Sequence, residues 1–513
     1  MIKYPLLIVV LMVALSCKVS LHVNDDKVKD DGAITFKFVQ INDVYEIAPL
    51  GGGKYGGMAR VAHVVDSIKT KEPNTFLFLA GDFLNPSLLG TIKYQGERIY
   101  GKQMVEVMNA MGFELVTFGN HEFDISMEAL QDRMDESNFY WTSANCFQQL
   151  EDGPRSFHFV RGGDTIPVPE TYTLHLSDKD STQVDIGFFS VTLPSNPRDF
   201  VYYGDVFLEA GSAYTSLQMQ QVDIIMGLTH VAIDEDVELA KRFPKISFIM
   251  GGHEHNNMLV ESGNAKIAKA DANAKTIYIH TFTFNKKTNF LKIDSELFPI
   301  DDRITEKPSV KAIVDKWESI LNTQIKEVVE NPNEIVYHAE IPLDGTDSAS
   351  RGIQTNLGSI ITQAMYWSFD EPVDAALVNG GSIRLDDMLS GNVTSLDIFR
   401  VLPFGGSVVR ADVTGKLLKE VLDYGLAQRG EGAYLQRYNF TRAEDGSWLL
   451  EGHPIDEAKI YKIAFSDFLL KGYDIPFLKP DNKGVINVYH PNENEPAHDI
   501  RKAVIVYLKS LKK

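Results

Sequence analysis

The chain contains the stretch Thr35-Phe36-Lys37-Phe38-Val39-Gln40-Ile41-Asn42-Asp43-Val44-Tyr45, in which an apolar run leads directly into a polar motif. The run is rich in aromatic and β-branched residues, which predicts a buried strand. Because the polar motif follows at once, we expect its side chains at the end of that strand. The same pairing of run and motif recurs four times in the first half of the chain.

The four further motifs are Gly81-Asp82, Gly119-Asn120-His121-Glu122-Phe123-Asp124, Thr229-His230 and Gly251-Gly252-His253-Glu254-His255. The apolar runs before them occupy residues 76–80, 114–118, 223–228 and 246–250. Helical patterns lie between the runs, for example at 58–71, 102–111 and 126–136. This alternation predicts a layered α/β sheet whose strand ends collect the motifs in one crevice.

The motifs supply carboxylates, a carboxamide and imidazoles, a donor set suited to Zn²⁺ or Mn²⁺. Asp82 is the candidate for a carboxylate that bridges two ions spaced ~3.5–4 Å apart. Such a pair binds phosphate oxygens and activates water, which favours phosphoester hydrolysis. The spacing of His121 and Asp124 lets the carboxylate fix the imidazole tautomer. Any single motif is more often a turn or a core histidine, but five in order favour a metal site.

These motifs together resemble the calcineurin-like metallophosphoesterase superfamily. Within it they resemble the 5′-nucleotidase family, which includes the bacterial UDP-sugar hydrolase and the vertebrate ecto-5′-nucleotidase. The resemblance implies a four-layer αββα sandwich with a second, C-terminal α/β substrate-binding domain, and two divalent ions such as Zn²⁺ or Mn²⁺. It also implies one ion held by Asp43, Asp82 and His255, another held by Asp82, Asn120, His230 and His253, and a catalytic pair of His121 and Asp124.

Tyr45 departs from the family pattern, which is Asn-Asp-x-His at residues 42–45. A neutral phenol with a pKa of ~10 is a poorer ligand than imidazole. We therefore expect the first ion to keep an extra water, to bind more weakly or to be a harder ion such as Mn²⁺. The neighbouring Glu46 is a candidate to compensate.

A second group of motifs begins after about residue 335 and resembles the substrate domain of the same family. The motifs are Arg351-Gly352-Ile353-Gln354-Thr355-Asn356-Leu357-Gly358, Asn379-Gly380-Gly381-Ser382-Ile383-Arg384, Leu402-Pro403-Phe404-Gly405-Gly406 and Phe468-Leu469-Leu470-Lys471-Gly472-Tyr473-Asp474. The resemblance implies that Arg351 and Arg384 contact the phosphate, Asn379 the base and Asp474 the ribose.

Phe404 and Phe468 are the candidates for a clamp around the base, since stacking is worth ~1–3 kcal/mol per base. The alternative for a single phenylalanine is core packing. Tyr473 and Ile475 replace the second and third glycines of the family's Gly-Gly-Asp-Gly turn, and Gly406 stands where the family often has Asn. The extra bulk of Tyr473 and Ile475 predicts a substrate other than AMP.

The chain has 513 residues, 44% hydrophobic and 23% charged, which is typical of a folded protein with more than one core. The net charge of −20 argues against nucleic acid polymers as partners. We expect a nucleotide substrate and a monomer.

Residues 1–17 resemble a bacterial lipoprotein signal, with a basic start, a short apolar stretch and a small residue before Cys17. Cys17 is then the lipidated membrane tether, and residues 18–32 form a flexible polar linker. The alternative is an ordinary signal peptide cleaved nearby. We expect a periplasmic or surface lipoprotein of the bacterial envelope, and only Cys146 remains as a further cysteine.

The predicted boundaries are 33–305 for the catalytic domain, 306–334 for a linker helix and 335–513 for the substrate domain. The predicted function is hydrolysis of nucleoside 5′-monophosphates to nucleoside and phosphate. The alternatives are a phosphodiesterase or pyrophosphatase acting on cyclic nucleotides or UDP-sugars, and a nucleotide-binding surface protein without turnover.

Overall fold

The computed structural model describes residues 30–195 and 197–511, so the predicted signal, Cys17 and nearly all of the tether lie outside the described residues. Two six-stranded sheets build the first domain. In spatial order, the first sheet consists of Phe290–Pro299, Thr276–Asn285, Ala33–Ile41, Thr75–Leu79, Leu115–Thr117 and Tyr140–Thr142. The second consists of Thr171–Ser177, Gln183–Phe189, Ile224–Thr229, Ile246–Gly251, Ala265–Lys269 and Met258–Ser262.

An aromatic core fills the space between these sheets. Phe38 is fully buried and has Phe78, Phe188 and Phe282 within ring-contact distance. Alternate residues of each strand face this core, as expected for sheets that pack face to face. Helices cover the outer faces: Met58–Lys71, Lys102–Met111 and Met127–Glu136 on the first sheet, and Val206–Gln220 and Ile233–Arg242 on the second. The predicted four-layer sandwich is confirmed.

The strands that carry the motifs run parallel within each sheet. Ala33–Ile41, Thr75–Leu79 and Leu115–Thr117 are parallel neighbours in the first sheet. Ile224–Thr229 and Ile246–Gly251 are parallel neighbours in the second. All five predicted strands are therefore present, and their carboxyl ends meet at one edge of the sandwich. Gln40 joins the two sheets there, because its amide donates to the carbonyls of Gly251 at 3.0 Å and Ala268 at 2.8 Å.

The second domain is built on a mixed five-stranded sheet. Its strands are, in spatial order, Leu435–Tyr438, Ala375–Asn379, Ile460–Ser466, Val408–Thr414 and Val485–Tyr489. Helix Gly415–Ala427 packs on one face, and helices Asn356–Tyr366 and Ile500–Leu511 pack on the other. Strands Ile335–Asp344 and Met388–Thr394 pair as an antiparallel ribbon beside the sheet.

Helix Pro308–Ile325 lies between the two domains in sequence but packs on the first. Trp317 is 1% exposed, and its indole donates to Glu106 at 2.9 Å. The chain enters the second domain at Pro332, whose carbonyl accepts a hydrogen bond from the Leu396 backbone N–H at 2.8 Å. Only residues 326–331 therefore connect the two bodies, within the predicted linker. None of the helices in the described ranges is both long and apolar enough to cross a bilayer.

Candidate metal centre

The strand ends bring Asp43, Asp82 and His230 together, with one ligand atom of each lying within 4.8 Å of the others. All three side chains are buried. Asp43 and Asp82 adopt left-handed backbone angles, with φ of 52° and 58°. Such angles are unfavourable for residues with a side chain and are often retained at functional sites. Here they turn both carboxylates inward from the ends of their strands.

Glycines in the same motifs allow the loops to approach this closely. A Cβ at Gly119 would lie 2.1 Å from Asp82 Oδ1, and a Cβ at Gly252 would lie 2.1 Å from the Ala80 carbonyl and 2.7 Å from His230 Nδ1. Any side chain at either position would displace a candidate ligand. The glycines that precede the functional residues in the motifs are therefore part of the site's geometry.

The two oxygens of Asp43 have different surroundings. Oδ2 accepts from the Asn42 amide at 2.8 Å and from the His253 backbone N–H at 3.0 Å. Oδ1 is buried and accepts no hydrogen bond from the described residues. It lies 3.5 Å from His255 Nε2 and 3.9 Å from His230 Nε2. A buried anionic oxygen without a donor is expensive unless a cation neutralises it, so this oxygen fits a metal ligand.

His230 is oriented for the same purpose. Its Nδ1 donates to the Ala80 carbonyl at 2.7 Å, which leaves Nε2 facing Asp82 Oδ2 at 3.1 Å. A backbone partner on one nitrogen is the usual way that a protein presents the other to a metal. Burial lowers the pKa of His230, but the charges of Asp82 and Asp43 raise it to about 9. The site therefore strongly attracts positive charge.

The remaining candidate ligands surround this cluster. His253 packs beside His230, with ring centroids 5.6 Å apart. Asn120 is 5% exposed and precedes His121, whose backbone N–H donates to Asp82 Oδ1 at 2.8 Å. His255 approaches the same oxygen of Asp43 as His230 does. The six side chains that the sequence predicts as metal ligands thus meet at one edge of the sandwich, and their donor set fits borderline divalent ions.

Tyr45 lies inside this ring of groups. It is 2% exposed, and its hydroxyl is 3.1 Å from His255 Nε2 and 3.5 Å from Asp82 Oδ2. Burial and the nearby carboxylates raise the pKa of this phenol well above its usual value, so it stays neutral. Tyr45 thus offers a neutral oxygen where the family pattern places an imidazole.

Glu46 does not compensate for Tyr45, and that suggestion is wrong. Its carboxylate turns away from the centre, toward Arg400 Nε of the second domain at 3.4 Å and the Leu88 backbone N–H at 3.4 Å. Burial raises the pKa of Glu46, and the Arg400 charge partly offsets this effect. Glu46 is a contact between the domains.

The predicted pair of His121 and Asp124 is formed. His121 Nδ1 lies 2.8 Å from Asp124 Oδ2, which also accepts from Asn85 at 2.9 Å and from Arg384 of the second domain at 2.8 Å. Arg198 contacts the other oxygen at 3.2 Å. Burial opposes the charge on Asp124, but His121 and the two arginines hold its pKa well below its usual range. Asp124 is a fixed anion that orients the imidazole.

Glu122 is a positioning residue that the sequence analysis did not single out. Its carboxylate is fully buried and accepts backbone N–H bonds from Asp82, Phe83 and Leu84, at 2.8, 2.7 and 3.0 Å. It also accepts from Gly119 at 2.5 Å. One side chain therefore holds both the Asp82 loop and the loop that begins at Gly119. Burial and the Asp82 charge raise the pKa of Glu122 to about 7 although these bonds lower it.

A cleft of about 530 Å³ opens between the domains beside Asp124. Arg351, Arg384 and Phe404 of the second domain line it, together with Asn85 and Asp124 of the first. Both predicted phosphate arginines thus line the same space as Asp124. Two further arginines that the sequence analysis did not identify, Arg98 and Arg198, also line the cleft.

Asn379, Phe468 and Asp474 are not part of the lining of this cleft. The Asn379 amide donates to Asp474 at 2.6 Å, so these two form a separate pair. Phe404 is 60% and Phe468 38% exposed, as a stacking platform requires. Their loops are joined by a bond from the Asp467 N–H to the Ser407 carbonyl at 2.9 Å. Neither ring is packed in a core.

Tyr473 and Ile475, both expected to add bulk near the substrate, differ in where their side chains lie. Tyr473 is 69% exposed and lies against Phe468, with ring centroids 5.2 Å apart. Ile475 is fully buried in the core beneath the five-stranded sheet of the second domain. Ile475 therefore adds nothing to a substrate pocket, whereas Tyr473 extends the aromatic surface.

We expect Glu122→Gln to weaken metal binding by about 10- to 100-fold, because an amide cannot accept from all four N–H groups that hold the two ligand loops. Calorimetric titration with Mn²⁺ measures the effect. Glu128→Gln, the same change on an exposed helix position nearby, is the control and should bind as the wild type does. Equal affinity in both variants would show that Glu122 does not position the ligands.

Comparison with known proteins agrees with this architecture. Residues 36–257 match the calcineurin-like phosphoesterase family, and residues 335–479 match the C-terminal domain of 5′-nucleotidases. A solved 5′-nucleotidase precursor from Thermus thermophilus superposes with a TM-score of 0.66 at 22% identity, over 93% of this chain and 97% of that one. This likeness supports the fold of the whole two-domain unit.

Curated relatives extend the match. The chain is 27% identical to bovine 5′-nucleotidase, over 82% of this chain and 78% of that protein. It is 28% identical to the trifunctional nucleotide phosphoesterase protein YfkN of Bacillus subtilis, over 81% of this chain but only 31% of that protein's length. With a phosphoesterase domain followed by a nucleotidase C-terminal domain, this chain belongs to the 5′-nucleotidase family of metallophosphohydrolases.

Proposed function

We propose that this protein hydrolyses nucleoside 5′-monophosphates to nucleoside and phosphate with two divalent ions at the centre described above. The observation that carries the proposal is the juxtaposition of that centre with an interdomain cleft. Asp124 of the first domain and Arg351 and Arg384 of the second line the same 530 Å³ space. The net charge of the chain is −20, so an anionic substrate depends on local positive charge. The arginines of the cleft and the proposed ions would supply that charge.

The ions would be held by Asp43, Asp82 and His255 on one side and by Asp82, Asn120, His230 and His253 on the other. When bound, such ions lower the pKa of water and neutralise charge on the phosphate oxygens. The chain itself supplies orientation. Arginine forks bind phosphate in a bidentate manner, and Asp124 fixes the His121 ring through Nδ1, so that Nε2 is the nitrogen on the side away from Asp124.

Hydrolysis of diphosphate substrates such as UDP-sugars is a second candidate. The specific observation in its favour is that four arginines, Arg98, Arg198, Arg351 and Arg384, line the cleft, more than one phosphate needs. Preferred cleavage of a pyrophosphate bond would favour this candidate over nucleoside monophosphates.

We further propose that the protein acts as a monomer in the bacterial envelope, tethered through lipidated Cys17 and residues 18–32, and that nucleic acid polymers are not partners. The composition of residues 1–17 and the net charge support this placement. Metabolic labelling with a fatty acid analogue, compared between wild type and Cys17→Ser, tests the tether. Equal labelling would contradict it.

Chromatography of the products formed from a panel of substrates tests the proposed function, because cleavage of a UDP-sugar or a cyclic nucleotide yields a nucleotide and no free phosphate. The panel contains nucleoside 5′-monophosphates, cyclic nucleotides and UDP-sugars, each with Mn²⁺, Zn²⁺ or excess chelator. We expect monophosphates to be cleaved fastest and the chelator to abolish turnover, since the ions would activate the water and neutralise the phosphate oxygens. Full activity in chelator would contradict the metal centre, and cleavage of only the other classes would contradict the substrate.

Replacing Phe404 and Phe468 together by Ala should raise KM for nucleotides by about 10- to 100-fold, because two stacking faces are lost. Hydrolysis of p-nitrophenyl phosphate, which needs only the metal centre, should change far less. Phe290→Ala, at a ring 62% exposed on the first sheet, is the matched control. Equal losses for both substrates in a folded double variant would contradict the separation of chemistry from specificity.

A further inference from the structure

A carboxylate of the second domain lies inside the metal centre of the first. Asp386 Oδ2 is 3.4 Å from His255 Nε2, 3.6 Å from His121 Nε2 and 3.3 Å from the Tyr45 hydroxyl. Asp386 belongs to neither the candidate ligands nor the candidate substrate residues. It is nevertheless closer to two of the site's imidazoles than Asp43 Oδ1 is to His230.

The Asp386 side chain is held in this place from both domains. Its Oδ1 accepts from the Asp347 backbone N–H at 2.8 Å, which leaves Oδ2 directed at the centre. Its backbone adopts a φ of 47°, an angle that a residue with a side chain takes only when its surroundings enforce it. The next residue, Asp387, pairs with Lys275 of the first domain at 2.5 Å. The loop is thus fixed at the interface on both sides of Asp386.

Several buried carboxylates lie close to Asp386, and a cation among them would lower their mutual repulsion. The Tyr45 hydroxyl lies between Asp386 Oδ2 at 3.3 Å and Asp82 Oδ2 at 3.5 Å, and a single neutral phenol cannot compensate two buried carboxylates. Asp43 Oδ1, close to the same His255, adds a third. Arg384 does not serve here, because it is paired with Asp124. A divalent ion among these oxygens would neutralise them and gain a hard anionic donor.

We propose that Asp386 is a ligand of the ion bound by Asp43, Asp82 and His255 when the domains are closed. This inference rests on the metal centre of the proposed function. It gives the ion a strong carboxylate donor across the interface, beside the weak phenol of Tyr45. It also links two equilibria, because an ion that gains a ligand only in the closed arrangement must favour closure to the same extent that closure favours its binding.

The linkage has a consequence for the substrate. A phosphate that enters from the cleft would compete with Asp386 for a position on this ion, and Asp386 can withdraw only together with its domain. Residues 326–331, between the docked helix and the second domain, are the short connection about which such movement would take place. Metal binding without substrate should therefore hold the chain closed.

Mn²⁺ titration of the metal-free full chain by calorimetry tests the inference. Asp386→Asn should weaken one of the two sites by at least about tenfold, because a neutral amide replaces a carboxylate. Asp387→Asn is the matched control, since it loses the interface contact with Lys275 but no atom near the ions. It should lose less affinity than Asp386→Asn does, because it weakens the interface without removing the proposed ligand. Equal affinity in Asp386→Asn and the wild type would overturn the proposal.

Domain closure provides a readout independent of affinity. In small-angle scattering, Mn²⁺ should reduce the radius of gyration of the wild type and of Asp387→Asn, and should reduce it less for Asp386→Asn. The double variant Tyr45→His with Asp386→Asn should regain affinity without regaining closure, because the imidazole is supplied from within the first domain. Melting curves of the metal-free variants verify that each is folded.

The outcomes separate this inference from the proposed function. A wild type that binds no Mn²⁺ contradicts the metal centre, and the inference falls with it. A wild type that binds two ions beside an unchanged Asp386→Asn contradicts the inference alone. If Asp386→Asn does not fold, the Tyr45→His variant provides the test. Its added imidazole should make the Mn²⁺-induced decrease in the radius of gyration smaller than in the wild type. An equal decrease in both proteins would overturn the proposal.

Discussion

Ligand atoms of two buried carboxylates and one imidazole, those of Asp43, Asp82 and His230, lie within 4.8 Å of one another. Like charges this close in a low-dielectric interior are unfavourable unless a cation lies between them. The surrounding fold works to maintain this arrangement. Left-handed backbone at both aspartates, glycines that leave no room for a Cβ, and the four N–H bonds to Glu122 all hold the side chains where ions would join them.

The sandwich makes the arrangement possible because the parallel strands of its two sheets end at one edge. Asp43, Asp82 and Asn120 follow strands of the first sheet, and His230 and His253 follow strands of the second. The aromatic core around Phe38 packs the two sheets against each other. The Gln40 side chain of the first sheet donates a hydrogen bond to the Gly251 carbonyl of the second, next to the site. The second domain then approaches the same edge, so that Arg384, Asp386 and Arg400 each meet a residue of the first domain.

Local order in the sequence explains why much of this could be predicted. Each motif directly follows its strand, so alternation and spacing were enough to place Asp82 and His121, and the resemblance to a family supplied the division of ligands. Asp386 could not be found this way, because its role depends on how two domains dock. Ile475 could not be distinguished from Tyr473, since neighbours on a loop differ only in which way they face. Glu46 was misjudged for the same reason.

The central claim is that the strand ends hold two ions that share Asp82. Crystals of the full chain grown with Mn²⁺ and measured at the manganese absorption edge test it directly. The account predicts two anomalous peaks ~3.5–4 Å apart, with the Asp82 carboxylate between them. A single peak, or two peaks away from Asp82, in crystals whose dissolved protein still releases phosphate from nucleotides would contradict it.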